Sequence, residues 1–236
     1  MRSITFTDIG TTEYAFAWNL QKLLHRERIA GRIPDVVLFT EHYNTYTIGQ
    51  SGGEDHLLAT EDELLKGNVS VFKTDRGGDI TYHGPGQIVC YPFIDLNEYY
   101  HDVHRYLRDL EEVVMKTLYH YGIESHREPE YTGVWVGDEK ICAIGVKVSK
   151  WVTMHGFAFN VNTNLSYFGR IIPCGIFHKG VTSVAELLGR TVDTAEVKGV
   201  IAENFKEVFQ TEIKRVTFDE FADQYHVVME KENASN

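Results

Sequence analysis

The sequence predicts an α+β fold, with strands in the middle of the chain and helices framing them. Runs of β-branched and aromatic residues at 134–136, 141–148 and 153–161 are separated by turn residues, as in an antiparallel meander. Helical patterns occur at 12–30 and, after residue 180, at 183–189, 194–210 and 217–226. Because strands and helices do not alternate strictly, the pattern favours α+β over a parallel α/β sheet.

The remaining elements are predicted in chain order from similar signals. The first helix repeats its larger residues from Tyr14 to Leu24 and ends before Gly31. Strands are predicted at 35–40, 45–48, 69–73 and 88–94, with an irregular stretch between the last two, and a long helix covers 101–121. The segments 60–63 and 183–186 have the spacing of capping boxes. The polar tail at 231–236 is expected to fray.

Length, composition and charge restrict the class of protein. The 236 residues, with 43% hydrophobic and 24% charged, are expected to form one globular domain over 1–236. The balance of 23 basic and 34 acidic residues gives a net charge of −11, which disfavours nucleic acid and anionic membranes as partners. The first six residues lack an apolar leader and no run approaches the roughly 18 apolar residues of a membrane span, so a cytoplasmic protein is expected.

The stretch from Arg76 to Gln87 holds four glycines and a proline in twelve residues. Such a cluster implies unusual backbone dihedrals or close backbone approach. Its N–H groups can hold an anion or a polarised carbonyl oxygen, and His83 can donate a hydrogen bond or move a proton. The alternative is a tight turn that His83 merely braces. The stretch matches neither common phosphate-binding glycine motif.

Two of the three cysteines are candidate nucleophiles. In the strand at 141–148, alternation places Lys140 and Cys142 on one face, so that the ammonium either lies beside a thiol or is a solvated edge charge. Cys174 lies between a proline and a glycine on constrained backbone. A free thiol has a pKa near 8.5, and a neighbouring cation raises its thiolate fraction. Spacing alone leaves both thiols open, whereas Cys90 is predicted to be core packing.

No metal site is predicted. His155, His178 and Cys174 lack both an H-x-x-x-H pair and a second nearby cysteine.

Four motifs, in order and at matching spacing, closely resemble those of the lipoyl(octanoyl) transferases. They are Arg76-Gly77-Gly78 with Thr81-Tyr82-His83-Gly84-Pro85-Gly86-Gln87, Lys140 with Ala143-Ile144-Gly145, His155-Gly156-Phe157-Ala158-Phe159-Asn160, and Pro173-Cys174-Gly175. One departure is Cys142, because the residue two after the lysine is usually small and apolar in this family.

The resemblance implies a fold like the catalytic domain of biotin and lipoate protein ligases, with a mixed, largely antiparallel central sheet flanked by helices. It implies transfer of octanoyl from acyl carrier protein through a cysteine thioester, without a cofactor, to a lysine of lipoyl domains in 2-oxoacid dehydrogenase complexes and of the glycine cleavage H protein. Cys174 is then the nucleophile, Lys140 lowers its pKa, and His83 assists. The implied acyl site comprises Arg76, Gly77, Gly78, Asp79, Ile80, Thr81, Tyr82, His83, Ala143, Ile144, Gly145, Gly156, Phe157 and Ala158.

Three alternatives remain beside this interpretation. An ATP-dependent lipoate or biotin protein ligase shares the fold but needs no catalytic cysteine, so Cys174 and the His-Gly-Pro-Gly run disfavour it. A lipoyl-amidotransferase moves octanoyl between two lipoyl-type domains. A binding module that only holds acyl carrier protein or a lipoyl domain needs no reactive thiol.

Overall fold

In the computed structural model, residues 2–172 and 180–227 are described, and a mixed sheet of eight strands carries the helices. In spatial order the strands are β10 (Gly180–Val181), β8 (Glu139–Ser149), β9 (Val152–Asn160), β6 (Gln87–Phe93), β2 (Asp35–His42), β1 (Ser3–Thr12) and β11 (Glu212–Arg215), and β7 (Val134–Val136) also pairs with β8. The four central strands pair antiparallel, whereas the outer pairs β2–β1, β1–β11 and β10–β8 are parallel.

A second, three-stranded sheet lies beside the first. Its order is β4 (Ser70–Lys73), β3 (Thr45–Ile48) and β5 (Ile80–His83). Its own core contains Tyr46, Tyr82 and Ile171. The prediction of an irregular stretch between 69–73 and 88–94 is therefore wrong at β5, because the flanking glycines obscured a four-residue strand that pairs with β3.

The helices cover both faces of the main sheet. Helices α3 (Val103–His120) and α5 (Thr194–Phe209) pack together on one face, and α1 (Tyr14–Ile29) and α6 (Phe218–Tyr225) pack on the other. The short helices are α2 (Glu61–Lys66) and α4 (Val184–Leu188). Of the helices that the structure describes, none combines the length and apolar character needed to cross a membrane.

The predicted fold class is confirmed, and so are the predicted helices and the antiparallel meander. The capping box at Thr60 forms in both directions with Glu63. At Ser183 the side chain accepts from the Glu186 N–H, while the Glu186 carboxylate accepts from the hydroxyl of the neighbouring threonine. Strands β1 and β11 were not predicted. β11 is a short, mostly exposed edge strand, so it has no apolar alternation to detect.

A buried ion pair joins the end of α1 to the start of β2. Arg28 Nε donates to Asp35 Oδ1 over 2.8 Å, and both side chains are less than a tenth exposed. The Asp35 carboxylate also accepts from the Asp95 N–H and the Tyr99 hydroxyl. Burial raises the pKa of Asp35, although Arg28 and these donors oppose the shift. Removing one partner would therefore leave an uncompensated buried charge.

We expect Arg28→Met to lower the free energy of unfolding by about 3 kcal/mol, because Asp35 loses its counter-ion inside the protein. Urea denaturation measures this loss. Arg26→Met is the matched control, since Arg26 is exposed two residues earlier on the same helix, and it should change stability by no more than about 0.5 kcal/mol. Equal effects of the two substitutions would contradict a special role for the buried pair.

Candidate active site

Residues 75–79, called here the glycine loop, lie directly on β8. The Gly77 N–H donates to the Val146 carbonyl oxygen over 3.0 Å. A Cβ atom on Gly145 would lie only 2.5 Å from the Gly77 carbonyl oxygen, so backbone packs on backbone here. Gly78 has φ +86°, a conformation that favours glycine. Gly77 and Gly78, the first two glycines of the cluster, are thus explained by close approach of the loop to the sheet and by a left-handed backbone conformation.

Contacts from three other directions hold the glycine loop in place. The N–H groups of residues 49–51 donate to carbonyl oxygens of the loop. Asp79 accepts from His56 Nδ1 over 2.6 Å and from the backbone N–H of Ile80. Asp75 accepts from Lys147 Nζ over 2.6 Å and from His155 Nε2 over 2.8 Å. The loop is therefore fixed at both ends by carboxylates.

The two partners of Asp75 change the pKa of its carboxyl group. The hydrogen bond from His155 and the ion pair with Lys147 hold the pKa of Asp75 well below its usual range, although partial burial opposes the shift. Burial lowers the pKa of His155, which occupies the left-handed region at φ +59° within β9. Backbone strain of this kind persists only where the surroundings hold the residue, and here Asp75 does so.

His83 is buried with both ring nitrogens in hydrogen bonds. Nδ1 lies 2.9 Å from Gln87 Oε1, and Nε2 lies 3.1 Å from Thr47 Oγ1. Because Oε1 is an acceptor, Nδ1 carries the proton and Nε2 accepts from the Thr47 hydroxyl. Burial lowers the pKa of His83 well below its usual value, with His42 and Arg76 adding to the shift. The ring is therefore a neutral part of a network.

That network connects the glycine loop to the far side of the site. Arg76 donates to Thr47, and the Thr47 hydroxyl donates to His83. Gln87 accepts from His83 and donates to Asn160 through its amide group. The chain ends where Asn160 Nδ2 donates to the carbonyl oxygen of residue 182. In sequence it runs through Arg76, Thr47, His83, Gln87, Asn160 and Thr182.

Lys140 lies across from Trp135 at the edge of the site. Its ammonium is 4.7 Å from the Trp135 ring centroid and donates to the Thr132 carbonyl oxygen over 3.4 Å. An irregularity in the β7–β8 pairing leaves Ile141 as an extra residue, so that Lys140 pairs with Trp135 and Cys142 with the preceding Val134. Consecutive strand residues face opposite ways, and the prediction that Lys140 and Cys142 share a face is therefore wrong.

The two described cysteines are core residues. Cys90 and Cys142 are both fully buried in the main hydrophobic core. Burial raises the pKa of each thiol well above its usual value, and for Cys142 this outweighs the opposing effect of Lys140. Neither is suited to be an ionised nucleophile. Cys174 lies outside the described residues. The described chain on its two sides borders the site, where the Ile172 N–H donates to the His56 carbonyl oxygen and β10 pairs with Glu139 and Lys140.

These groups surround a cavity of about 630 Å³, a volume typical of small-molecule sites. The cavity is lined by Lys140 and by every predicted acyl-site residue except Tyr82. The Tyr82 ring instead stacks on Tyr167 in the core of the smaller sheet, with its hydroxyl donating to Asn44. Among residues 2–172 and 180–227, no group of three or more histidine, cysteine or acidic side chains is arranged to hold a metal.

Small residues on β8 and β9 leave room for this cavity. Ala143 pairs with Ala158, and Gly145 pairs with Gly156, so none of these four positions carries a side chain larger than a methyl group. Val89 and Tyr91 extend the lining onto β6 and were not predicted. Alternation within the strand predicted at 88–94 places Val89 and Tyr91 on one face. Only the pairing of Val89 with Ala158 shows that this face lines the cavity. The site can enclose an apolar chain beside an ammonium group.

Comparisons with known proteins found relatives in sequence and in fold. The family model for the lipoyl protein ligase A/B catalytic domain matches residues 13–206. The octanoyltransferase of Rubrobacter xylanophilus is 53% identical over 201 residues, covering 84% of this chain and 90% of the relative. That of Christiangramia forsetii is 45% identical over 230 residues, covering 90% and 98%. A putative lipoate protein ligase from T. acidophilum with bound lipoic acid has a similar fold, with a TM-score of 0.73, 17% identity and coverage of 96% and 97%.

We expect Asp75→Asn to lower the free energy of unfolding at pH 7 by about 1 kcal/mol, since Asp75 is one-third exposed and solvent weakens its ion pairs. The folded-state pKa of Asp75 is depressed, so its contribution is present above the unfolded value of about 3.9 and is lost as the pH falls. The difference from the wild type, measured by urea denaturation, should shrink below about pH 4. The exposed Asp223→Asn is the control, and a pH-independent difference for Asp75→Asn would contradict the assignment.

Proposed function

The chain belongs to the octanoyltransferases of the lipoyl protein ligase A/B catalytic-domain family, and from this we infer that its cavity binds an octanoyl group. The chain is an acyltransferase. We propose that it takes octanoyl from acyl carrier protein and delivers it to a lysine of lipoyl domains, including those of 2-oxoacid dehydrogenase complexes and the glycine cleavage H protein. The intermediate is a thioester on Cys174.

The observation that carries this proposal is the mostly apolar cavity beside Lys140. The small paired residues Ala143 and Ala158 form one wall of the cavity, and the glycine loop forms another. Each methylene transferred from water into such a site contributes about 0.8 kcal/mol. A saturated eight-carbon chain has no polar group to bind except its carbonyl, so this burial supplies most of its affinity.

Cys174 is the proposed nucleophile for two reasons. The other two thiols are buried in the core with raised pKa values, and residues 172 and 180–181, on either side of its segment, contact groups at the cavity wall. The thiolate attacks the donor thioester, and a new carbon–sulfur bond forms as the bond between the acyl carbon and the carrier sulfur breaks. The carrier thiolate takes a proton from the Lys140 ammonium, which becomes neutral, and leaves as a thiol. Because one thioester replaces another, this step is nearly balanced and needs no ATP.

The second step forms an amide, which is more stable than the thioester and makes the transfer favourable. The incoming lysine amine attacks the acyl carbon, loses a proton, and the Cys174 thiolate leaves. We assign the proton to Lys140 in its neutral form. His83 is assigned a positioning role, because its nitrogens already bond to Thr47 and Gln87.

The requirement for ATP distinguishes the proposed transferase from a ligase on the same fold. An ATP-dependent ligase on the same fold would activate a free acid, whereas the proposed enzyme would transfer octanoyl from acyl carrier protein without ATP. A lipoyl-amidotransferase would instead accept an octanoylated lipoyl-type domain as its donor.

Incubation with octanoyl-acyl carrier protein, without ATP, should add one octanoyl group to Cys174, as located by peptide mass spectrometry. Cys174→Ser should abolish the thioester, while Cys142→Ala should retain it because Cys142 is a core residue. An octanoyl group on Cys142, or a requirement for ATP, would overturn the proposal.

Lys140→Met should slow alkylation of Cys174 at pH 7 by about tenfold, which corresponds to a rise of about one unit in the pKa of the thiol when its nearby cation is lost. Methionine keeps an apolar chain against Trp135 but removes the charge. The alkylation rate is measured across pH by mass spectrometry. Lys150→Met, which removes an exposed lysine on the same hairpin, is the matched control. An unchanged rate for Lys140→Met would remove Lys140 from the mechanism.

A further inference from the structure

The wall of the cavity next to Lys140 is a loop, residues 127–133, closed at its base. The backbones of His126 and Trp135 exchange two hydrogen bonds, of 2.9 and 3.0 Å. Within the loop, Thr132 provides the carbonyl oxygen that Lys140 Nζ contacts. Gly133 lies against the lysine chain, because a Cβ there would be 3.4 Å from Lys140 Cε. The position of Lys140 therefore depends on this loop.

One buried carboxylate fixes the loop from below. Glu111 is fully buried on α3, and its Oε1 accepts from the Gly133 N–H over 3.1 Å. Its Oε2 accepts from Arg108 over 2.7 Å and from Arg127 Nε over 3.1 Å. All of these donors meet a single carboxylate, and one of them is the N–H of Gly133, the residue next to Thr132, whose carbonyl oxygen accepts from Lys140.

The helix that carries Glu111 is firmly anchored. Its neighbours Leu110, Val113 and Val114 are fully buried in the main core. Asn204 on α5 donates to Thr117 on the same helix, which joins the two helices of this face. Glu111 thus ties the loop at the cavity wall to a helix that the core holds in place.

We propose that Glu111 is a positioning residue for acyl transfer, which holds Lys140 at the cavity through Gly133 and Thr132. A charge buried at this depth is costly unless it is fully hydrogen-bonded, and an apolar residue would pack at the same place without that cost. The carboxylate serves as the one acceptor that binds the loop N–H and two guanidinium groups together. Gly133 suits this arrangement because its φ of +134° disfavours other residues.

Substitution of Glu111 by Gln tests the inference with little change of shape. An amide keeps one acceptor oxygen and replaces the other with an NH₂ group. The two guanidinium groups compete for the remaining oxygen, and charged donors form stronger hydrogen bonds than a backbone N–H does. The bond to Gly133 is therefore the one we expect to be lost, so that the Thr132–Gly133 segment and Lys140 are released.

Glu112→Gln is the matched control. Glu112 is the next residue on the same helix and binds the same Arg127, over 2.5 Å, but the carboxylate that accepts from Gly133 is that of Glu111. The readout is the pH profile of Cys174 alkylation together with kcat and KM for octanoyl transfer. Glu111→Gln should slow alkylation at pH 7 by about threefold, through a thiol pKa raised by about half a unit, and should lower kcat with little change in KM. Glu112→Gln should match the wild type in both.

The inference rests on the proposed function, and the two fail differently. If octanoyl-acyl carrier protein does not acylate Cys174 in the wild type, the proposed function fails irrespective of Glu111. If the wild type and Lys140→Met differ but Glu111→Gln behaves as Glu112→Gln does, Glu111 has only a structural role and the inference is overturned. Should Glu111→Gln fold poorly, Arg127→Gln replaces it, because Arg127 is one-third exposed and its loss loosens the same carboxylate. The same raised thiol pKa is then expected, and a wild-type profile overturns the inference.

Discussion

The close contact between the glycine loop and β8 is the constraint on which the rest of the site depends. A single Cβ atom at residue 145 would collide with the carbonyl oxygen of Gly77. Because the loop lies this low, its carbonyl and N–H groups form the roof of the cavity rather than a solvated turn. Asp75 and Asp79 then hold its two ends by ion pairs and hydrogen bonds. This wall of the cavity is thus backbone that hydrogen bonds hold from several sides.

Two networks of polar groups extend that rigidity across the cavity. One begins at Arg76 and reaches residue 182 through the neutral His83 ring. The other begins at the buried carboxylate of Glu111 and reaches the loop that contacts Lys140. Both place charged or polar atoms where burial would be unfavourable without complete hydrogen bonding. In the proposed mechanism, such preorganised walls would keep the reacting groups in place while an acyl chain enters.

Much of the fold could be predicted from patterns in the sequence, for physical reasons that differ by element, whereas the residues of the acyl site were implied by the resemblance to a known family. The hairpin of β8 and β9 follows from alternation and turn residues, and the glycine cluster signals close backbone approach wherever it occurs. The short β5 and the exposed edge strand β11 carry no such signal, because pairing partners far along the chain decide their structure. The extra residue at Ile141 reversed the expected faces of Lys140 and Cys142, since a one-residue irregularity is invisible to periodicity. Glu111 resembles any acidic residue on a helix until its buried partners are seen.

The central claim is that an octanoyl chain lies between the glycine loop and the small residues of β8 and β9. Nuclear Overhauser effects between a ¹³C-labelled octanoyl chain and methyl-labelled alanines test it most directly, because the signal requires the two groups to be in contact. The account predicts cross-peaks to Ala143 and Ala158, which line the cavity, and none to Ala17 or Ala202, which are buried in other parts of the core. Cross-peaks confined to other alanines, or an acylated enzyme with no contact to Ala143 and Ala158, would contradict it.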